Sequence, residues 1–416
     1  MQLKALTSLL ALTLTFAWQA GAQIYDTNNV VVQTFAGSGF SGYLDGQGTQ
    51  TMFNNPSQVV ADSAGNLFVV DSYNYRIRKI SPDSTVSTFA GGGASATGYG
   101  TNVSLVYSLG PMAIDHSNAL WIIAPVQYGG NLLRIGSDAY VSRPNEAGLS
   151  GLSTSGGVCV DSGNNVYISD FYGERIYRYR TNGVLEVFAG SGNTGSADGN
   201  GIFTSFSGPS TLAADSADNI YVWDTYNRLI RRINQNRDVE TIAGNSGGSS
   251  QSDGVGTSAS FYSISAMSVD ASGNVILACG SSIRKMTATT NVLTVAGSFS
   301  QSGYTNGPGN LARFSGASGV CVSQGMIFVA DASGQRIRQI AFNPTQQLVS
   351  PPNLQLSTFA GLQIIGAVGR TYQIQSSPDM LTWSTAATLL LTSSPYLWID
   401  QHPVGGNKFY RAFLLP

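Results

Sequence analysis

Asn66 to Ile80 reads N-L-F-V-V-D-S-Y-N-Y-R-I-R-K-I, and a Thr34-Phe35-Ala36-Gly37 lies upstream of it. Both pieces recur. The apolar run ending in Asp returns at Asp170, Asp224 and Asp331 after its first copy at Asp71, and two altered copies end at Ala124 and Cys279. The intervals are 53, 46, 54, 55 and 52 residues, which makes six units. Units of this length, each holding several short strands, are blades of a β-propeller rather than turns of a helical solenoid.

Each unit reads as four strands. In the first, Ser57 to Ala61 is apolar and ends in the turn Asp62-Ser63-Ala64-Gly65-Asn66, whose residues supply positive φ and local side-chain hydrogen bonds. Leu67 to Val70 is the second strand, Arg76 to Ile80 the alternating third, and Val86 to Ala90 the fourth. The phasing leaves Val31 to Ala36 as an orphan fourth strand, while the last unit stops after its third, Arg336 to Ile340. The N-terminal strand is therefore expected on the outside of the last blade, where pairing of the chain ends closes the ring.

D-x-x-G-N-L-F-V-V-D-S-Y-N-Y-R-I-R-K-I, then T-F-A-G, then D-G-x-G and a Phe, resembles the NHL repeat over residues 30 to 341. That resemblance implies an all-β chain with a six-bladed β-propeller. Blades two and five depart from the pattern at Ala124 and Cys279, and Gln127 to Gly130 reads as a longer turn. Blade three lacks the T-F-A-G before its first strand, around Arg143 to Gly148.

Residues 1 to 22 read as a secretory signal: Lys4, an apolar run from Ala5 to Trp18, and the small-x-small Ala20-Gly21-Ala22. The expectation is an exported protein, secreted or held in the cell envelope, with no membrane span. Residues 23 to 343 form the propeller, 344 to 353 a Pro-rich linker and 354 to 416 a small β-sandwich. The tail's G-x-x-G-R-T-Y-Q-I-Q-S-S-P-D-M-L-T-W and terminal F-Y-R resemble a C-terminal module of exported bacterial proteins, similar to a fibronectin type III domain. Trp383, Tyr372 and Tyr410 are expected there as core anchors. Charged residues make up 11% of the chain, Gly numbers 49 and the net charge is -2, so no basic field attracts nucleic acid. Three Cys do not make a disulfide framework, and Cys159 and Cys321 share a first-strand slot as expected buried thiols.

Connections between blades share a face with the turns between strands two and three. The connections are long: Gly37 to Asn55, Gly190 to Ser207, Gly244 to Tyr262 and Gly297 to Ser315. In them Asp45, Asp198, Asp253 and Asn306 each precede a Gly and stand eight residues before Phe53, Phe206, Phe261 and Phe314. One reading makes these turns with a Phe plug between blades. The other is a Ca²⁺ held by carboxylates and carbonyls, although one carboxylate per loop falls short of the six to eight oxygens needed.

Tyr73, Tyr172 and Tyr226, with Asn74 and Asn227, lie on the same face as candidate contacts for a carbohydrate or protein ligand, because Tyr offers a flat face and one hydroxyl. Alternatively these are turn residues of the repeat, each neighbouring Asp pairing with Arg76, Arg175 or Arg228. Catalytic residues are not indicated. His116 sits in a hairpin turn and His402 in the tail, too far apart in the chain's organisation for a zinc site or a triad. Resemblance to amidating lyases would require metal-binding His, and resemblance to Ca²⁺ lactonases an inner-strand Glu, neither of which the pattern provides. The leading expectation is an exported, non-enzymatic binding or scaffold protein. The second is a Ca²⁺-dependent hydrolase or lyase with its site at the central pore.

Overall fold

A computed structural model describes residues 30–105, 109–126, 129–144, 152, 155–247 and 250–342, and in the tail 354–357, 361–364, 367–378, 381–392, 396–399 and 409–415. The expected leader and Pro-rich linker lie outside these residues. Six antiparallel sheets form the blades, and each innermost strand touches those of its two neighbours, so the sheets close a ring. Blade one runs inward to outward as Pro56–Ala61, Leu67–Asp71, Arg76–Ile80 and Thr85–Ala90.

The closing strand is where the phasing puts it. Val30–Ala36 pairs antiparallel with Arg336–Phe342, with Val32 opposite Ile340 and Thr34 opposite Arg338. Val30 and Val32 are fully buried in the core shared by blades five and six. At about 1.5–3 kcal/mol for each buried aliphatic side chain, this strand holds the ring by packing as well as by its ladder.

Five blades carry one strand more than the four expected. The G-x-G piece of the connection entering each of these blades adds a two-residue strand outside the fourth, as Gly46–Gln47 does against Thr85–Ala90. Gly307–Pro308 likewise covers Val31 and Val32, so the N-terminal strand is not the outermost. These short pieces cover edges that would otherwise be open to another chain. The T-F-A-G motif also gains a reason. Gly91 has φ +98°, and a Cβ there would stand 2.4 Å from the Tyr75 carbonyl in the turn of the same blade. Only glycine fits that contact.

Blade two corrects the expectation of a longer turn. Leu120–Val126 and Gly129–Ile135 stay paired up to Val126 opposite Gly129, so the extra residues extend the ladder. In blade one Asp71 accepts a hydrogen bond from Asn74 and holds a tight turn at Ser72–Asn74. Ala124 cannot anchor such a turn, and the strands continue.

The tail holds two three-stranded sheets, Leu354–Ser357, Gly361–Ile364 and Tyr396–Ile399 in one, and Ser384–Leu390, Thr371–Ser377 and Phe409–Leu414 in the other. Ile364, Tyr372, Ile374, Leu391 and Ala412 form its core, with Tyr410 packed against it. Trp383 is instead half-buried beneath the Arg411 guanidinium, 4.2 Å from its ring centroid.

Candidate functional site

In blades one, four and six the repeat Asp turns inward to a buried arginine further along the strand than expected, whereas in blade three Asp170 accepts from the Gly173 amide. Asp71 pairs with Arg78 at 2.7 Å and Asp224 with Arg231 at 2.8 Å, all four side chains fully buried. Asp331 pairs with Arg338 at 3.1 Å. Arg76 and Arg78 point to the same side of the strand, but Arg76 lies at its end. Its guanidinium donates to the Asn74 carbonyl and covers the Tyr43 ring, and Arg175 does the equivalent with the Gly173 and Ser191 carbonyls. The expected pairing of Asp71 with Arg76 and of Asp224 with Arg228 is therefore replaced. Burial pushes the carboxyls of Asp71, Asp224 and Asp331 up, outweighing the bonds each accepts.

The loop residues complete this arrangement. Asp45 binds Arg78 at 2.5 Å and accepts from the Thr88 amide, while the guanidinium lies 5.1 Å from the buried Phe53 ring. Asp198 with Phe206 on Arg231, Asp253 with Phe261 on Arg284, and Asn306 with Phe314 on Arg338 repeat it. Each Phe is buried between two blades, and each loop carboxylate is engaged by an arginine. Among the described residues no cluster of His, Cys, Asp and Glu could hold a metal ion.

The candidate contacts divide into two kinds. Asn74 donates to Gly42 O and Asp71, and Asn227 to Gly195 O and Asp224, so both amides tie a long connection to a turn. Tyr73, Tyr172 and Tyr226 instead expose 65%, 66% and 62% of their surface. The structure does not bring the three together. Tyr172 and Tyr226 meet through Phe171, at ring-centroid distances of 5.0 and 5.5 Å, whereas Tyr73 lies on blade one and, among the described residues, makes no ring contact with them. Further exposed rings lie in the long connections, among them Phe40, Tyr304 and, in the connection entering blade five, Tyr262. Spacing from the repeat Asp could not find it, because blade five has a shortened turn at Gly280-Ser281 and its ring comes from the neighbouring loop.

The axial channel, about 240 Å3, is lined by the six inner strands, with Val60, Met112, Val160, Met267 and Val322 among apolar residues and Gln58, Thr211 and Ser268 among polar ones. No carboxylate or imidazole lines it among the described residues. Glu174 is buried on the loop-rich face, where Oε2 accepts from the Gly208 amide. Gln335 makes the same link to the Asn55 amide, which marks Glu174 as a blade-to-blade tie. His116 is on the opposite face, its Nδ1 3.3 Å from Asn164 Oδ1, and His402 lies outside the described residues. Burial pushes the Cys279 thiol up to about 12 and raises Cys159 and Cys321 as well, so none is a ready nucleophile.

Residues 53–80 match the NHL repeat family model. The molecule is an NHL-type propeller, and solved structures of like fold agree. It is similar to a structural genomics protein of unknown function from Bacteroides thetaiotaomicron, at 20% identity and TM-score 0.62, with 76% of each chain covered. It is also similar to two proteins described as auxiliary nutrient binding proteins. The one from Bacteroides thetaiotaomicron has 17% identity and TM-score 0.59, with 76% of this chain and 77% of that one covered. The one from Bacteroides ovatus has 14% identity and TM-score 0.58 over the same shares. The likeness is one of fold. No curated protein matches this chain by sequence.

Proposed function

We propose that the chain is an exported, non-enzymatic binding protein that presents its loop-rich face to a glycan, cell-wall fragment or protein. The observation that carries this reading is the division of side chains on that face. Asp71, Asn74 and Arg78 and, likewise, Asp224, Asn227 and Arg231 are engaged within the fold, while Tyr73, Tyr172, Tyr226 and Tyr262 are left at least 62% exposed. Large aromatic rings kept in water on one face are a feature of contact surfaces. The leader-like residues 1 to 22 support export, and the description of two fold neighbours as nutrient binding proteins is in keeping with a binding role. A glycan array read with wild type and with the Tyr73→Ala, Tyr172→Ala, Tyr226→Ala triple variant tests it. Binding by wild type that the triple variant loses is expected; indistinguishable profiles would remove this face as the site.

A further inference from the structure

Blade three breaks the repeat where no requirement of the fold explains it. The residue after the repeat Asp is Ser72 in blade one, Thr225 in blade four and Ala332 in blade six, but Phe171 in blade three. Ser72 bonds Ser57 at 2.7 Å and Thr225 bonds Ser210 at 2.8 Å. In blade three Gly156 takes the place of that inner-strand serine. The polar pair has been exchanged for a glycine and a ring, and the ring organises its neighbours. Phe171 meets Tyr172 at 5.0 Å and 88° and Tyr226 at 5.5 Å and 64°. Beneath them lies Gly208, at φ +65°, where a Cβ would come within 2.9 Å of the Tyr226 ring and 3.1 Å of Phe171. The rings therefore rest on bare backbone, and Tyr172 and Tyr226 still show about two-thirds of their surface to water.

The polar groups of this corner have partners already. The amides of Thr225 and Tyr226 donate to Gly208 O and Ser207 O, and those of Ser207 and Gly208 to Asp224 and Glu174. Arg175 is held by two carbonyls and Asp224 by Arg231. A peptide would find no main-chain ladder here, since the face consists of strand ends and turns with those amides engaged. What remains exposed is ring surface with phenol hydroxyls at its margin, the neighbouring Arg175 and Arg228 being part-buried.

We infer that Phe171, Tyr172 and Tyr226 form a stacking subsite for a pyranose ring of a neutral saccharide, the C–H face of the sugar lying on a tyrosine and its hydroxyls reaching the phenols. This rests on the loop-rich face being the ligand face. Calorimetric titration of the full chain with neutral hexasaccharides (cello-, manno-, xylo- and malto-series) and with an oligomer of galacturonic acid tests it. At least one neutral series is expected to bind, with affinity nearly independent of salt. Tyr172→Ala and Tyr226→Ala should each weaken it by about tenfold, the scale of one lost aromatic contact at a binding surface. Tyr73→Ala should leave it within about twofold, the ordinary effect of a side chain outside the contact. Phe171→Ser installs the residue of blade one without its serine partner, so far-ultraviolet circular dichroism checks that the fold is kept; it should weaken binding by disordering both tyrosines. Binding of the acidic oligomer alone, or of no saccharide, would overturn the ligand class. Neutral binding lost in Tyr73→Ala but kept in Tyr172→Ala and Tyr226→Ala would overturn the location while leaving the loop-rich face in place. Neutral binding untouched by all of these substitutions would overturn both.

Discussion

Blades one and two solve the same packing problem with opposite chemistry. Around Arg78, blade one sets Asp71, Asp45 and Phe53, the arginine and Asp71 fully buried. Blade two has Leu133 in register with the arginine, Ala124 with Asp71, Leu105 in the place of Phe53 and Thr97 before the G-x-G. Leu105 and Leu133 join Val103, Ile122 and Val141 in one buried cluster. All four polar or aromatic positions have changed together. Blade geometry requires the volume to be filled, and the ion pair is one way of filling it. The polar residues act as a unit, because a charge left buried without its partner costs more than the pair contributes.

Blade three is a third solution. Tyr177 stands in register with Arg78, Asp170 stays buried in the inner slot and accepts from the Gly173 amide, and the arginine cluster lies further out, where Glu186 binds Arg178, Arg180 and Arg237. Blade five is a fourth, with Arg284 retained and Asp253 its carboxylate partner while Cys279 holds the inner slot.

Substitutions can break this comparison at several points. The largest effect is expected from Arg78→Leu alone, which strands Asp71 and Asp45 and should cost about 3–5 kcal/mol in chemical denaturation. Adding Asp71→Ala, Asp45→Thr and Phe53→Leu recreates the blade-two set and should recover most of that loss. A quadruple variant less stable than Arg78→Leu would mean the residues act independently. Next comes Asp253→Asn, expected to cost about 2–3 kcal/mol by leaving Arg284 without a carboxylate, against about 1 kcal/mol for Asp198→Asn, where Arg231 keeps Asp224. Equal losses would show that the inner Asp contributes nothing.

Acid should single out blade three. Arg180 and Arg178 hold the Glu186 carboxyl down at about 2, below its ordinary 4.5. Since the folded value is the lower one, its stabilisation is present above pH 4.5 and fades as pH falls towards 2. Solvent screening limits it to about 1 kcal/mol, and Glu186→Gln should flatten that part of the stability-pH curve. Smallest of all, Tyr73→Ala and Tyr262→Ala should each change stability by less than about 0.5 kcal/mol, as exposed side chains do. A larger loss would reveal a structural role for the exposed rings.

The ring and its closure were legible because a repeat of short strands states its own phase. An orphan fourth strand at Val31 has one blade to complete, and the hydrophobic alternation of Val30 and Val32 fits the core it enters. The partner of Asp71 was not legible. Arg76 and Arg78 lie two residues apart on one side of a strand, and only the loop arriving from outside, with Asp45 and Phe53, selects the inner one. The site was legible in part. A shared offset found Tyr172 and Tyr226, but Phe171, which joins them, is visible only as a departure from Ser72 and Thr225, and Tyr262 reaches the face from another register. Asn74 and Asn227 look from their spacing like ligand contacts, and their amides are engaged in the fold.

Crystals grown with the best-binding neutral hexasaccharide give the most direct test of where this molecule works. A pyranose ring within about 4 Å of the Tyr172 or Tyr226 ring, the range of apolar contact, is the result expected. A ligand seated in the axial channel between Val60 and Met267, with the blade three to four corner bare, would contradict it.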